Sequence, residues 1–241
     1  MVTSRIVSLA FLITFSAAVF GSHFLVPETR AADTPAGLLD QHTLDKRTGS
    51  VLKDLKLGDP ALETKVRAVL EPHFQALQMW HAEHDSELDK LWAEWSAARN
   101  PNAKDETAAA KVGEKIDAIY ATFRPQHDAF LTQLSALLSP GQIETFKNSL
   151  TKTPGLERTY KAYLEIVPTF TDADKAFAHD KLVQAREQAI DAIKDKEKIA
   201  IFKRQKVQVE AYIDAHGYDW KTSYAAFAKK MKNPPLAEKA P

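Results

Sequence analysis

The sequence predicts an all-α protein: a multi-helix bundle built on a long antiparallel helical hairpin, with a second set of helices beside it and no disulfides. Three observations predict it. Apolar residues recur at spacings of three and four over most of the chain, the period of one helix face. Helix-capping residues stand at the starts of these runs, and strand signals are nearly absent. The chain has eight glycines, few β-branched runs and no Asn-Gly or Asp-Gly hairpin turn.

The first long element opens at Asp59-Pro60, an N-cap acceptor followed by the proline best tolerated in a first turn. Its stripe runs from Leu62, Val66 and Leu70 to Leu88, Trp92 and Trp95, and it stops before Asn100-Pro101-Asn102. Pro72 lies inside it, so a kink or break is expected near Glu71. A second run from Val112 through Tyr120 and Phe123 to Leu134 and Leu138, with its own Pro125, makes the other arm of the hairpin. Ser139-Pro140-Gly141-Gln142 has the form of a capping box and starts a short helix through Ile143, Phe146 and Leu150. Leu156 to Val167 is a further short helix, closed by Pro168. Thr171-Asp172-Ala173-Asp174 caps a longer one carrying Phe177, Leu182, Ala189 and Ile193. The last core helix carries Ile199, Phe202, Val209 and Ile213 and ends at His216-Gly217, where glycine suits a left-handed backbone. Apolar residues precede the capped starts at Asp59, Ser139 and Thr171; the irregular spacing fits reuse of cap chemistry rather than an internal repeat.

Domain organisation follows from composition along the chain. Met1 to Arg5 is basic, and Ile6 to Phe20 carries no charge, the length of a signal-peptide core and short of the roughly 20 residues of a bilayer span. Residues 1–32 are read as a signal peptide cleaved between about Gly21 and Ala32, 33–47 as a linker, 48–220 as the helical domain, and 221–241 as an amphipathic tail helix with a disordered end. The expected location is periplasmic or secreted, with no permanent membrane anchor once the signal is removed. The whole chain has 241 residues, 32 Lys plus Arg against 32 Asp plus Glu, and no cysteine. Zero net charge argues against nucleic-acid binding, which needs a basic face. Absent cysteine removes disulfides, thiolate metal sites and Cys nucleophiles. No phosphate-cradling glycine loop is present, and no cofactor is expected.

Candidate chemistry is sparse. His81 and His84, three apart on a helix with His73 on the same broad face, are weak metal candidates; the HExxH arrangement is missing, and a third ligand would have to come from His127 or His179. The reading kept beside it is histidines that hydrogen-bond across the bundle, with His127 and His179 in a central polar cluster. Arg186 falls on the apolar stripe of its helix, with Glu187 beside it, and an inward guanidinium calls for a carboxylate such as Glu165; the alternative makes it a ligand-binding group. Trp80 and Trp92 read as core. Tyr160, Tyr163, Tyr218 and Trp220 are aromatics on which a sugar could stack, the last two just past a helix end. No GxSxG elbow or Ser-His-Asp order can be singled out.

The segments Thr159-Tyr160-Lys161-Ala162-Tyr163-Leu164-Glu165, Leu182 to Ala189 with Asp191, Lys196-Glu197-Lys198 with Phe202, and Gly217-Tyr218-Asp219 resemble a family of exported bacterial helical proteins of unknown function to which sugar binding has been ascribed. The weaker likeness extends back to about Thr48. The family pattern carries His at the positions of Gln188 and Ile199. The resemblance implies a non-catalytic domain that binds a glycan or glycan fragment, with Tyr160, Tyr163, Glu165, Arg186, Glu187, His127, His179 and Tyr218 as candidate contacts. Leu138-Ser139-Pro140-Gly141-Gln142 is also similar to a motif of periplasmic helical-hairpin chaperones, so a chaperone or stress-sensor adaptor is the alternative. A glycan-active hydrolase or lyase using His127, His179 or Glu187 is the third reading.

Overall fold

The computed structural model describes residues 39–232 except 101, 103 and 152–154; the expected signal peptide and the expected disordered end at 233–241 lie outside them. The described residues form eight helices and no strand: α1 (Gln41–Leu55), α2 (Pro60–Ala98), α3 (Glu106–Ser135), α4 (Pro140–Leu150), α5 (Leu156–Ile166), α6 (Asp172–Ile190), α7 (Asp195–Ala215) and α8 (Trp220–Lys232).

Local chemistry accounts for the helix ends. Asp59 and Asp105 accept from the Ala61 and Ala108 amides, and Ser139 with Gln142 and Thr171 with Asp174 form complete capping boxes. Gly217, at φ 83°, follows α7 as expected. Two expectations are corrected. The segment read as a linker through residue 47 is helical from Gln41, because Asp40 caps α1 through the Thr43 amide at 3.0 Å and Leu44, Val51, Leu52 and Leu55 are buried. Its stripe was hard to read because Arg47 occupies part of the inward side, laid 4.2 Å over the Phe74 ring. Nor does α2 break near Glu71. Both Pro72 and Pro125 are exposed within continuous helices. An interior proline costs about 3 kcal/mol, which the burial of Leu70, Phe74 and Leu77 around Pro72 offsets.

Helices α2 and α3 pack as one hairpin, α6 and α7 as a second, while α1 and α4 lie together and α5 bridges α6 and α8. Two apolar clusters result. One joins α1, α4, the start of α2 and the end of α3 around Phe74, Phe130 and Phe146. The other joins the end of α2 and the start of α3 to α5, α6 and α7 around Phe123, Leu182 and Phe202. His73 sits at the seam, stacked on Phe130 at 3.5 Å and tilted against Phe123 at 5.8 Å.

Asp174 ties the second hairpin together. It accepts from the Thr171 amide and hydroxyl at 2.9 and 2.7 Å, from the Tyr212 hydroxyl at 3.0 Å and from the Tyr218 hydroxyl at 2.7 Å. The Thr171 and tyrosine hydrogen bonds hold its carboxyl well below the usual range. This contribution is therefore complete above the ordinary aspartate range and is lost as pH falls below about 4. Asp174→Ala is expected to lower the melting temperature at neutral pH by roughly 5 °C; a scanning-calorimetry trace superimposable on wild type would contradict the assignment.

Candidate functional site

Most of the expected polar residues enter a fastening network. Asp191, at the C-terminal end of α6, is its hub. His127 on α3 donates from Nδ1 to the Asp191 carboxylate at 2.9 Å, and His81 on α2 donates from Nε2 to the Asp191 main-chain carbonyl at 2.7 Å. The other His81 nitrogen, Nδ1, lies 2.7 Å from the Asp85 carboxylate. Both partners are oxygens, and the ring between them is fully buried. Asp85 also pairs with Lys194 at 2.8 Å. Burial raises the Asp191 carboxyl's affinity for its proton, although the His127 hydrogen bond opposes this. Among the described residues no cluster of three or more His, Asp or Glu side chains could hold a metal ion. His84 bonds the Trp80 carbonyl and stacks on its indole.

Arg186 is buried, as its place on the stripe predicts, but its carboxylate comes from α4 rather than from Glu165. Its two terminal nitrogens reach the two Glu144 oxygens at 2.6 and 3.1 Å, while Glu165 is exposed and lies 4.0 Å from Lys161. Glu187 receives both of its bonds from Lys147 at 2.9 Å and lies 3.9 Å from His127. Tyr160 meets half-exposed His179 edge-on at 5.1 Å. Tyr218 is held by Asp174 and Phe170. Tyr160, Arg186 and Tyr218 are thus each engaged with other side chains of the protein.

Tyr163 leads instead to a cleft. Between α5, α7 and α8 lies an opening of about 380 Å³ lined by Thr159, Ala162, Tyr163, Ile166, Lys206, Glu210, Trp220 and Tyr224. The Trp220 ring stands 5.4 Å from Tyr163 and 5.5 Å from Tyr224, making an aromatic wall. Lys206 and Glu210, one turn apart on α7, are half-buried. Neither makes a hydrogen bond or a close ion pair among the described residues. Burial draws the Lys206 ammonium down and pushes the Glu210 carboxyl up from their ordinary values. The Tyr163 hydroxyl is buried beneath the cleft without a hydrogen-bond partner among the described residues, and burial with the nearby Glu210 charge raises it above the usual phenol range.

Two other recesses differ in kind. The one of about 310 Å³ beside Trp95 has its cations already matched, Arg99 by Glu106 and Arg204 by Asp117, with Gly113 leaving room for the Arg204 guanidinium. The one of about 280 Å³ beside Trp92 borders Glu197, a carboxyl whose proton affinity is raised by burial. Tyr120 donates to one oxygen of Glu197, and the other is closed off from solvent.

The profile of a family described as a protein of unknown function, DUF3826, matches residues 41–233. The chain belongs to this family. No curated protein matches it. All eight described helices of this DUF3826 protein fall within the matched span, so the Asp191 hub and the α5–α7–α8 cleft both belong to the part the family shares. Lys206, Glu210 and Tyr224 escaped the sequence reading. Their only signals were the four-residue steps from Lys206 to Glu210 and from Trp220 to Tyr224, which any amphipathic helix shows.

Proposed function

We propose that this DUF3826 protein is an exported, non-catalytic domain that binds a glycan fragment in the α5–α7–α8 cleft. One observation carries the reading: the cleft places an aromatic wall, Trp220 and Tyr224, beside a half-buried lysine and a half-buried glutamate that make no hydrogen bond or close ion pair among the described residues. Leaving such groups unpaired costs free energy, and a ligand that bonds them recovers it. Sugars match both demands, since their C–H faces lie on aromatic rings while their hydroxyls both donate and accept. Lys206 donates, Glu210 accepts, and the volume falls in the range of small-molecule sites. Export is supported by the uncharged run Ile6 to Phe20 behind a basic start.

Calorimetric titration with neutral, acidic and amino sugars and their short oligomers tests this. Binding is expected for at least one class, with Trp220→Ala and Glu210→Gln each weakening it by about tenfold. Absence of heat across the panel, or binding indifferent to both substitutions, removes the reading.

A further inference from the structure

Between α1, the end of α4 and the start of α7 lies a further recess, of about 370 Å³, whose charge is one-sided. Lys46 and Arg47 come to it from α1 and Lys198 from α7, beside the Ser50 hydroxyl, and no acid lines it. Arg47 is half-buried, its guanidinium lies 4.2 Å over the Phe74 ring, and it makes no hydrogen bond or ion pair among the described residues. Burial alone draws it down to about 10, with no carboxylate acting the other way. A ring face accommodates the charge but supplies no oxygen to the N–H groups. The fold treats its other partly buried arginines differently: the carboxylates of Glu71, Glu106, Asp117 and Glu144 each match one of them.

Lys198 shares the predicament. Its side chain is 16% exposed; burial draws the ammonium down, Asp195 at 3.7 Å holds it up, and the charge of Arg47 pushes it down again. Asp195 is 94% exposed, and an ion pair with so wet a partner is weak. The acids of α1 and its cap are engaged elsewhere: Asp40 accepts from Thr43, Asp45 faces Arg67, and Asp54 accepts from Ser149. Two cations withdrawn from water therefore repel each other across a recess without a counter-charge, and an anion between them relieves both the repulsion and the missing hydrogen bonds.

We propose that this recess is an anion site that takes a phosphate or sulfate group, as the free ion or carried on a small molecule. A guanidinium fork from α1 and an ammonium from α7 approach from different helices, which suits a tetrahedral oxyanion with acceptors on every side better than a flat carboxylate. The volume lies in the range of small-molecule sites and leaves room for part of a carrier. The site shares no lining residue with the α5–α7–α8 cleft.

The test is calorimetric titration of the full chain with sodium phosphate, sodium sulfate, glucose 6-phosphate and glucose 6-sulfate, with sodium acetate as the flat-carboxylate control. Arg47→Gln, Lys198→Gln and Lys46→Gln are titrated beside wild type, their folds checked by circular dichroism. Expected is binding of phosphate or sulfate that weakens with added chloride and exceeds that of acetate by about tenfold. Arg47→Gln and Lys198→Gln should each weaken it by about tenfold or more. Exposed Lys46, whose substitution keeps the fold, should cost about threefold. An ester that binds more tightly than its free ion identifies a carried group, and the reverse order the free ion. No heat from any of the four oxyanions, acetate binding as well as they do, or affinity unchanged in Lys198→Gln would each overturn the proposal. The variants leave Lys206, Glu210 and Trp220 in place, so binding of the inorganic ions and binding of neutral sugars fail independently.

Discussion

Asp191→Ala is expected to lower the unfolding free energy by about 3–5 kcal/mol. The side chain is 4% exposed and accepts from His127, itself 1% exposed. Alanine leaves that imidazole buried with an N–H facing nothing, and the loss of a buried partner costs more than the pair contributes. The hub also joins helices that no loop joins. His127 comes from α3 and Asp191 ends α6, so the two hairpins lose a side-chain tie, while the His81 bond to the Asp191 main-chain carbonyl is retained. Asp191→Asn retains an oxygen acceptor and is expected to cost about 1–2 kcal/mol less. The aspartate's folded pKa is raised by burial, so this group favours the folded state most at low pH, and its contribution falls as pH rises through the carboxylate range; the asparagine variant lacks that slope. Urea denaturation of the three proteins measures all of this. An alanine variant with an unchanged midpoint would show that the hub holds nothing together.

His73 should make the protein acid-sensitive. Burial, then the charges of His127 and Arg47, lowers its pKa from 6.5 to about 3. Its ring is closed in by Phe74, Phe123 and Phe130, and its Nε2 has no hydrogen-bond partner among the described residues. The unfolded chain takes up this proton as pH falls below 6.5, while the folded protein resists until about 3. Stability is therefore lost across that window, by on the order of 4 kcal/mol at its lower end. His73→Leu removes both the orphaned nitrogen and the titration. Wild type should lose markedly more stability than the variant between neutral pH and about pH 4; urea midpoints that fall in parallel for the two proteins would refute the account. Asp174 contributes to acid lability in both and cancels in the difference.

Much of the fold was legible because its signals are local. Asp59-Pro60, Ser139 with Gln142 and Thr171 with Asp174 each set a helix start within four residues, and the stripes of α2, α3, α6 and α7 declare which side turns inward. Legibility failed where a residue of mixed character occupied the stripe, as Arg47 did in α1, or where packing overrode a local breaker, as around Pro72. The sites were less legible. That Arg186 points inward follows from periodicity, and so does the burial of His127.

Which partner each residue meets does not follow from periodicity. Glu144 lies 42 residues from Arg186, His81 lies 110 from Asp191, and His127 lies 64 from it. A stripe specifies the rotation of one helix about its own axis. A pair across the bundle depends also on how far one helix slides along another and at what angle they cross, and those are set by the summed packing of every side chain in the interface. For the same reason no pattern within α5, α7 or α8 announces the cleft. Tyr163, Lys206, Glu210 and Trp220 share it because the second hairpin, once closed, leaves room between α5 and α7 and sets α8 beside it. The amino-acid pattern alone was enough to settle the helices, their ends and their inward faces. The Asp191 hub, the pairing of Arg186 with Glu144 and the half-buried charges of the cleft came into being only when those faces met.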